Sequence, residues 1–130
     1  MFLSRLTEPQ RQSFMALVTK MALADGKVAP EEVAILDDIA HALGNPEPVS
    51  AEEIFGAINI EPFDTEESRI LTILGMLVVA YADYNFHVDE STVLDDTIRA
   101  FSIPDSKLNA LKVWATKQAD LMNELHDLIE

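Results

Sequence analysis

Residues 24–32 read ADGKVAPEE, and residues 82–90, which begin 58 positions later, read ADYNFHVDE. In each copy an apolar segment ends in Ala-Asp, an apolar residue follows three positions after the aspartate, and a pair of acids closes the motif. The match needs no gap and continues into ILDD at residues 35–38 and VLDD at residues 93–96. A repeat of this kind predicts one helix-loop-helix unit used twice.

The spacing of apolar residues extends this prediction to the whole chain. They recur three and four positions apart, and no segment alternates strictly as a strand would. We therefore predict an all-α, single-domain helical bundle over residues 1–130, with repeat units at about 8–44 and 65–102 and a C-terminal helix at about 105–128. The six predicted helices are at about 8–24, 30–43, 50–58, 64–82, 89–101 and 105–128.

Polar residues at the predicted helix starts support these boundaries. Thr7 is expected to be the N-cap of the first helix. Ser50 and Glu53 have the spacing of a capping box for the short third helix, and Asp64 and Glu67 have the same spacing before the fourth.

Apolar stripes predict which helix faces are buried. Val33 is expected to face inward from the second helix, and Trp114 and Met122 are expected to pack in the core. The stripe expected to bury the last helix consists of Leu108, Leu111, Ala115, Leu121, Leu125 and Leu128.

Composition limits the chemistry that the chain can perform. Acids outnumber bases 23 to 9 in 130 residues, which gives a net charge of −14, and 48% of the residues are apolar. That is a globular composition, and its charge disfavours nucleic acid as a partner while favouring cations or basic proteins. Because the chain has no cysteine, disulfides, zinc-thiolate sites and cysteine nucleophiles are excluded.

No segment predicts insertion into a membrane. The most apolar run, residues 70–82, has 13 residues, whereas a bilayer-spanning helix needs roughly 20. Residues 1–10 lack the apolar segment of a secretory signal. A cytoplasmic location is the resulting expectation.

The repeat also places carboxylates at matched spacing. Asp25 precedes Glu32 by seven positions, as Asp83 precedes Glu90. Carboxylates with loop carbonyls suit Ca²⁺ or Mg²⁺ better than Zn²⁺, so these four residues are the candidate metal ligands. The alternative is structural, since acids in a first helical turn stabilise the helix dipole by roughly 0.3–1 kcal/mol without any ligand. Neither copy is an EF-hand, because the twelfth loop position is leucine in both.

With its duplicated acidic motif and helical setting, the chain resembles the TerB-like (tellurite-resistance) family over about residues 11–125. The resemblance implies an all-helical domain whose clustered acids, here Asp25, Glu32, Asp83 and Glu90, bind metal. It also implies a role in bacterial tellurite or other chemical-stress systems, within multiprotein assemblies near the membrane. Related domains serve as interaction modules, including in membrane-linked co-chaperones. At Tyr84 the second copy departs from the pattern, which has glycine at that turn.

The sequence therefore predicts a non-enzymatic domain that binds a divalent cation or docks a protein partner through its acidic helix-loop-helix faces. The alternative is a metal-independent interaction module that recruits a basic partner by charge. A metal-assisted hydrolase is a third class, but no arrangement of residues indicates one. The identity of the ion, the partner and the oligomeric state stay open.

Overall fold

A computed structural model of the chain describes residues 2–23, 30–44, 46–82 and 92–130. Within these ranges every regular element is helical, as predicted, and none is a strand. A 3-10 helix at Phe2–Arg5, which the sequence analysis did not predict, comes first. It is followed by α1 (Glu8–Leu23), α2 (Pro30–Ala42), α3 (Ala51–Phe55), α4 (Glu66–Ala82), α5 (Thr92–Phe101) and α6 (Asp105–Ile129).

Helix α1 lies at the centre of the fold and contacts α2, α3, α4 and α5. Its start is fixed by Thr7, whose Oγ1 accepts from the Gln10 N–H while the Gln10 side chain accepts from the Thr7 N–H. The predicted cap is therefore confirmed. The apolar face of α1 lies in the core, since Phe14 and Val18 are fully buried.

Helix α4 is the most enclosed helix of the described chain. It contacts α1, α5, α6 and the N-terminal 3-10 helix. Ile73, Met76 and Leu77 have no exposed surface. The buried Thr72 hydroxyl donates to the Ser68 carbonyl of the same helix. Its hydrogen bond therefore needs no partner from another element.

Helix α4 begins two residues later than predicted, because a different pair caps it. Thr65 Oγ1 accepts from the Ser68 N–H at 3.1 Å, and Ser68 Oγ accepts from the Thr65 N–H at 3.3 Å. Asp64 instead accepts from Gln10, and Glu67 pairs with Arg5. The prediction that Asp64 and Glu67 cap α4 is therefore wrong.

The capping box of α3 is confirmed, but the helix ends at Phe55 rather than near residue 58. Ser50 and Glu53 each accept from the other's backbone N–H. The Gly56 N–H still bonds to the Glu52 carbonyl, but the Gly56 backbone is extended, with φ −84° and ψ −173°. The chain therefore leaves the helix at this residue.

Helices α1, α4 and α6 start at the same end of the molecule. Gln10 in the first turn of α1 donates to the Pro62 carbonyl, four residues before α4 begins. The first turns of α4 and α6 line a common cavity through Glu66 and Lys107. Because α4 and α6 start together and pack along one another, these two helices run in the same general direction.

The expected burial of α6 is only partly observed. Leu111 and Ala115 are buried, and Leu108 is half-buried, as predicted. Trp114, Leu121, Met122, Leu125 and Leu128 are exposed, as is Val33 of α2. The inward assignments of these side chains are wrong, because each keeps between 45% and 82% of its surface exposed.

Candidate functional site

The four candidate metal ligands lie almost wholly beyond the described structure. Asp25, Asp83 and Glu90 fall outside the described residues. Glu32 lies in the first turn of α2, but its side chain is also outside the description. Whether these carboxylates share an ion therefore stays a prediction.

The helix ends that flank these residues are described. The first acidic segment joins the end of α1 at Leu23 to the start of α2 at Pro30, and the second joins α4 at Ala82 to α5 at Thr92. The C-termini of α1 and α4 carry the negative end of the helix dipole, which favours a nearby cation.

No metal-binding cluster occurs among the residues that the structure does describe. Within them, no three His, Asp or Glu side chains are grouped so that they could hold one ion. The exposed pairs Asp37–Asp38 of α2 and Asp95–Asp96 of α5 lie along the solvated surfaces of their helices.

A cavity of about 380 Å³ lies where the starts of α4 and α6 meet the end of α5. Its floor includes the buried Phe101 ring, which packs edge-to-face on Phe63 with 5.4 Å between ring centroids. The Arg69 guanidinium lies 6.0 Å from the centroid of the Phe101 ring, and Arg69 Nε donates to the Phe63 carbonyl at 2.9 Å. These two contacts hold the arginine at the cavity.

The charges around this cavity are of both signs. Arg69 and Lys107 supply two cations, and Glu66 supplies one carboxylate. Such an arrangement can accept a small polar or anionic group beside an aromatic floor. Sequence reasoning missed it because Arg69 and Lys107 are 38 positions apart and belong to no motif.

A smaller cavity of about 50 Å³ lies between α1 and α3. Beside it, Lys20 Nζ donates to the carbonyls of Ile54 and Gly56, both at 2.5 Å. These bonds hold the end of α3 against α1. The lysine is therefore structural, and the cavity is too small for more than a water molecule or two.

Comparison with protein families gives a match to the family model described as tellurite resistance protein TerB, over residues 47–113. The matched region is about half of the 130-residue chain. The chain belongs to the TerB family. The resemblance drawn from the acidic motifs is confirmed, as is the all-helical fold that it implies.

The TerB match covers α3, α4, α5 and the first part of α6. It includes the second acidic segment, with Asp83 and Glu90, whereas Asp25 and Glu32 precede it. It ends at Val113, before the exposed part of α6. The family match is thus narrower than the sequence resemblance, which extended over about residues 11–125.

Neither the curated proteins nor the solved structures gave a match to this chain. No helix among the described residues combines the length and the apolar composition needed to cross a bilayer.

Proposed function

We propose that this TerB-family chain is a non-enzymatic domain that binds a divalent cation, docks a protein partner, or does both, in a bacterial tellurite or chemical-stress response. Asp25, Glu32, Asp83 and Glu90 would be the anionic ligands. The observation that carries the proposal is the repetition of the same acids at the same spacing in two segments of the sequence, one between α1 and α2 and one between α4 and α5.

The chemistry of these residues favours a hard cation. Aspartate and glutamate oxygens with loop carbonyls are the donors that Ca²⁺ and Mg²⁺ prefer, and the absence of cysteine removes the thiolates typical of structural zinc sites. The negative ends of α1 and α4 add to the attraction. We propose a cytoplasmic location, with assembly at a membrane through partner proteins.

A metal-independent docking module is the alternative function. The net charge of −14 supports it, because a strongly acidic surface attracts basic proteins without needing an ordered ion site. Such docking would weaken progressively as salt screens the charges. Ion coordination would instead depend on a complete ligand set.

Titration of metal-stripped protein separates the two functions. Calorimetry and NMR with Ca²⁺, Mg²⁺, Mn²⁺ and Zn²⁺ should show saturable binding, with shifts confined to residues 24–32 and 82–90. Asp25→Asn or Asp83→Asn should each abolish or strongly weaken it. Asp37→Asn is the matched control, because it removes the same charge from an exposed position in α2.

Absence of binding at millimolar ion would overturn the cation proposal. If Asp37→Asn weakened ion binding as much as Asp25→Asn, the effect would be one of overall charge rather than coordination. The docking alternative would then be tested by the salt dependence of binding to a basic model peptide.

A further inference from the structure

The second half of α6 exposes a large apolar surface. Leu121 is 63% exposed and Leu128 is 82% exposed. From residue 114 onward, the other exposed large apolar side chains of α6 are Trp114, Met122, Leu125 and Ile129. Their combined open surface is on the order of 600 Å², at the upper end of what monomeric proteins leave uncovered.

The part of this surface after Leu121 exists because α6 is longer than the helix on which it packs. At about 1.5 Å per residue, the 25 residues of α6 span about 37 Å, whereas the 17 residues of α4 span about 25 Å. The two helices start together, so the last turns of α6 extend past the end of α4. Leu111 and Ala115 are buried, while the apolar residues after them are exposed.

Together with the buried Leu111 and the half-buried Gln118, the exposed residues form a coiled-coil pattern. Spacings of three and four residues alternate through Leu111, Trp114, Gln118, Leu121, Leu125 and Leu128. This is the repeat of residues at the seam between two helices packed side by side. Lys117 and Glu124, both exposed, lie next to the seam and one heptad apart, where charged residues select the partner and its orientation.

The charges along α6 are divided between its two halves. Residues 105–117 contain three lysines and one aspartate, whereas residues 118–130 contain four acids and neither lysine nor arginine. A parallel pair of such helices would place acids against acids. An antiparallel pair places the basic half of each helix against the acidic half of the other.

We propose that a second copy of this chain docks on the exposed face of α6, with the two α6 helices antiparallel around a twofold axis near residues 119–120. Trp114 of one copy lies opposite Leu125 of the second, and Leu121 opposite Gln118 of the second. Lys117 lies beside Glu124 of the second copy, and the symmetry produces this pair twice.

Three features favour a second copy over a basic partner of another kind. A twofold interface must be self-complementary. The charges along α6 are self-complementary only when the two α6 helices are antiparallel. The open surface approaches the roughly 800 Å² that each partner contributes to a standard interface. The basic half of α6, residues 105–117, would also meet no acidic counterpart on a basic partner, whereas a second copy supplies one.

The test is sedimentation equilibrium of the full chain and its charge variants, from about 1 to about 500 µM. Lys117→Glu places a carboxylate against Glu124 of the second copy, and Glu124→Lys places lysine against lysine. Each variant alone should dimerise about tenfold more weakly or worse. An equimolar mixture should restore association as a heterodimer, because opposite charges then meet in both pairs.

Asp120→Lys is the matched control. It makes the same change in charge as Glu124→Lys, but on the face of α6 away from the seam, so association should not weaken. Leu121→Asp should abolish dimers, with circular dichroism confirming that the helices remain.

A wild-type chain that stays monomeric throughout would overturn the proposal and assign this face to another partner or segment. Charge variants that fail to recover on mixing would overturn the antiparallel arrangement.

Discussion

Helices α4 and α6 look alike in sequence, but their surroundings differ. Both carry large apolar residues at three- and four-residue spacing. Helix α4 is enclosed by α1, α5, α6 and the N-terminal 3-10 helix, whereas the second half of α6 leaves its apolar residues open. Periodicity therefore predicts that a helix forms and has an apolar face. What covers that face depends on the lengths and directions of its neighbours.

A leucine-to-alanine substitution, made once in α4 and once in α6, should show this difference in burial most strongly. Leu77→Ala in α4 empties a fully buried site and should lower the free energy of unfolding by about 2–5 kcal/mol. Leu128→Ala in α6 removes a side chain that is 82% exposed and should change it by less than about 0.5 kcal/mol. Urea denaturation at low protein concentration, where any dimer dissociates, measures both. Equal losses would contradict the described burial.

A smaller loss of stability is expected from a substitution at Gly75, where Phe14 and Leu3 lie close to the backbone of α4. A Cβ built at Gly75 would lie 2.7 Å from Phe14 Cε2 and 3.0 Å from Leu3 Cδ2. Gly75→Ala should therefore destabilise the fold by about 1–3 kcal/mol, although alanine is the better helix former. Thermal unfolding should show a lower Tm.

Two further variants test the cause of that loss. Asn109→Ala, at an exposed position of α6, should raise stability by a few tenths of a kcal/mol, since only helix propensity changes there. Phe14→Leu withdraws the ring edge, so its effect and that of Gly75→Ala should not add. If the two losses of stability were strictly additive, a Cβ at position 75 would not clash with the Phe14 ring.

Local signals in the sequence predicted most of the fold. The caps at Thr7 and at Ser50–Glu53 were identifiable because each depends on residues three positions apart. The cap of α4 was misassigned because Asp64-Thr65 and Glu67-Ser68 offer two capping pairs one residue apart. Only the tertiary contacts of Asp64 with Gln10 and of Glu67 with Arg5 decide between them.

The candidate sites differ in how far sequence could predict them. The acidic segments were found because the repeat places Asp25 and Asp83 in register, although their geometry stays a prediction. The cavity at Arg69 could not be found, since folding alone brings Lys107 and Phe101 beside it. The exposure of Leu125 and Leu128 was mispredicted because periodicity does not reveal that α6 extends past α4.

Removing the N-cap of α4 should have a smaller effect on the free energy of unfolding. Thr65→Ala removes the hydroxyl that accepts from the Ser68 N–H and should cost about 1 kcal/mol. Thr116→Ala is the control within α6, where the exposed hydroxyl only donates back to the Lys112 carbonyl. It should be neutral or slightly stabilising, because alanine favours a helix interior. Chemical denaturation that gave both changes the same sign would contradict the assigned cap.

The smallest expected effect concerns the exposed ion pair that joins α4 to the N-terminal 3-10 helix. Arg5 Nε lies 2.8 Å from Glu67 Oε1, and the two side chains are 67% and 55% exposed. Solvent screens such a pair, so Glu67→Gln should cost at most about 0.5 kcal/mol, and the cost should vanish in about 1 M salt. Glu66→Gln alters the same helix-dipole interaction but leaves the pair intact, so the difference between the variants isolates the pair. A cost that persisted in high salt would show that Glu67 acts through packing, and that even the solvated side of α4 is more constrained than the open face of α6.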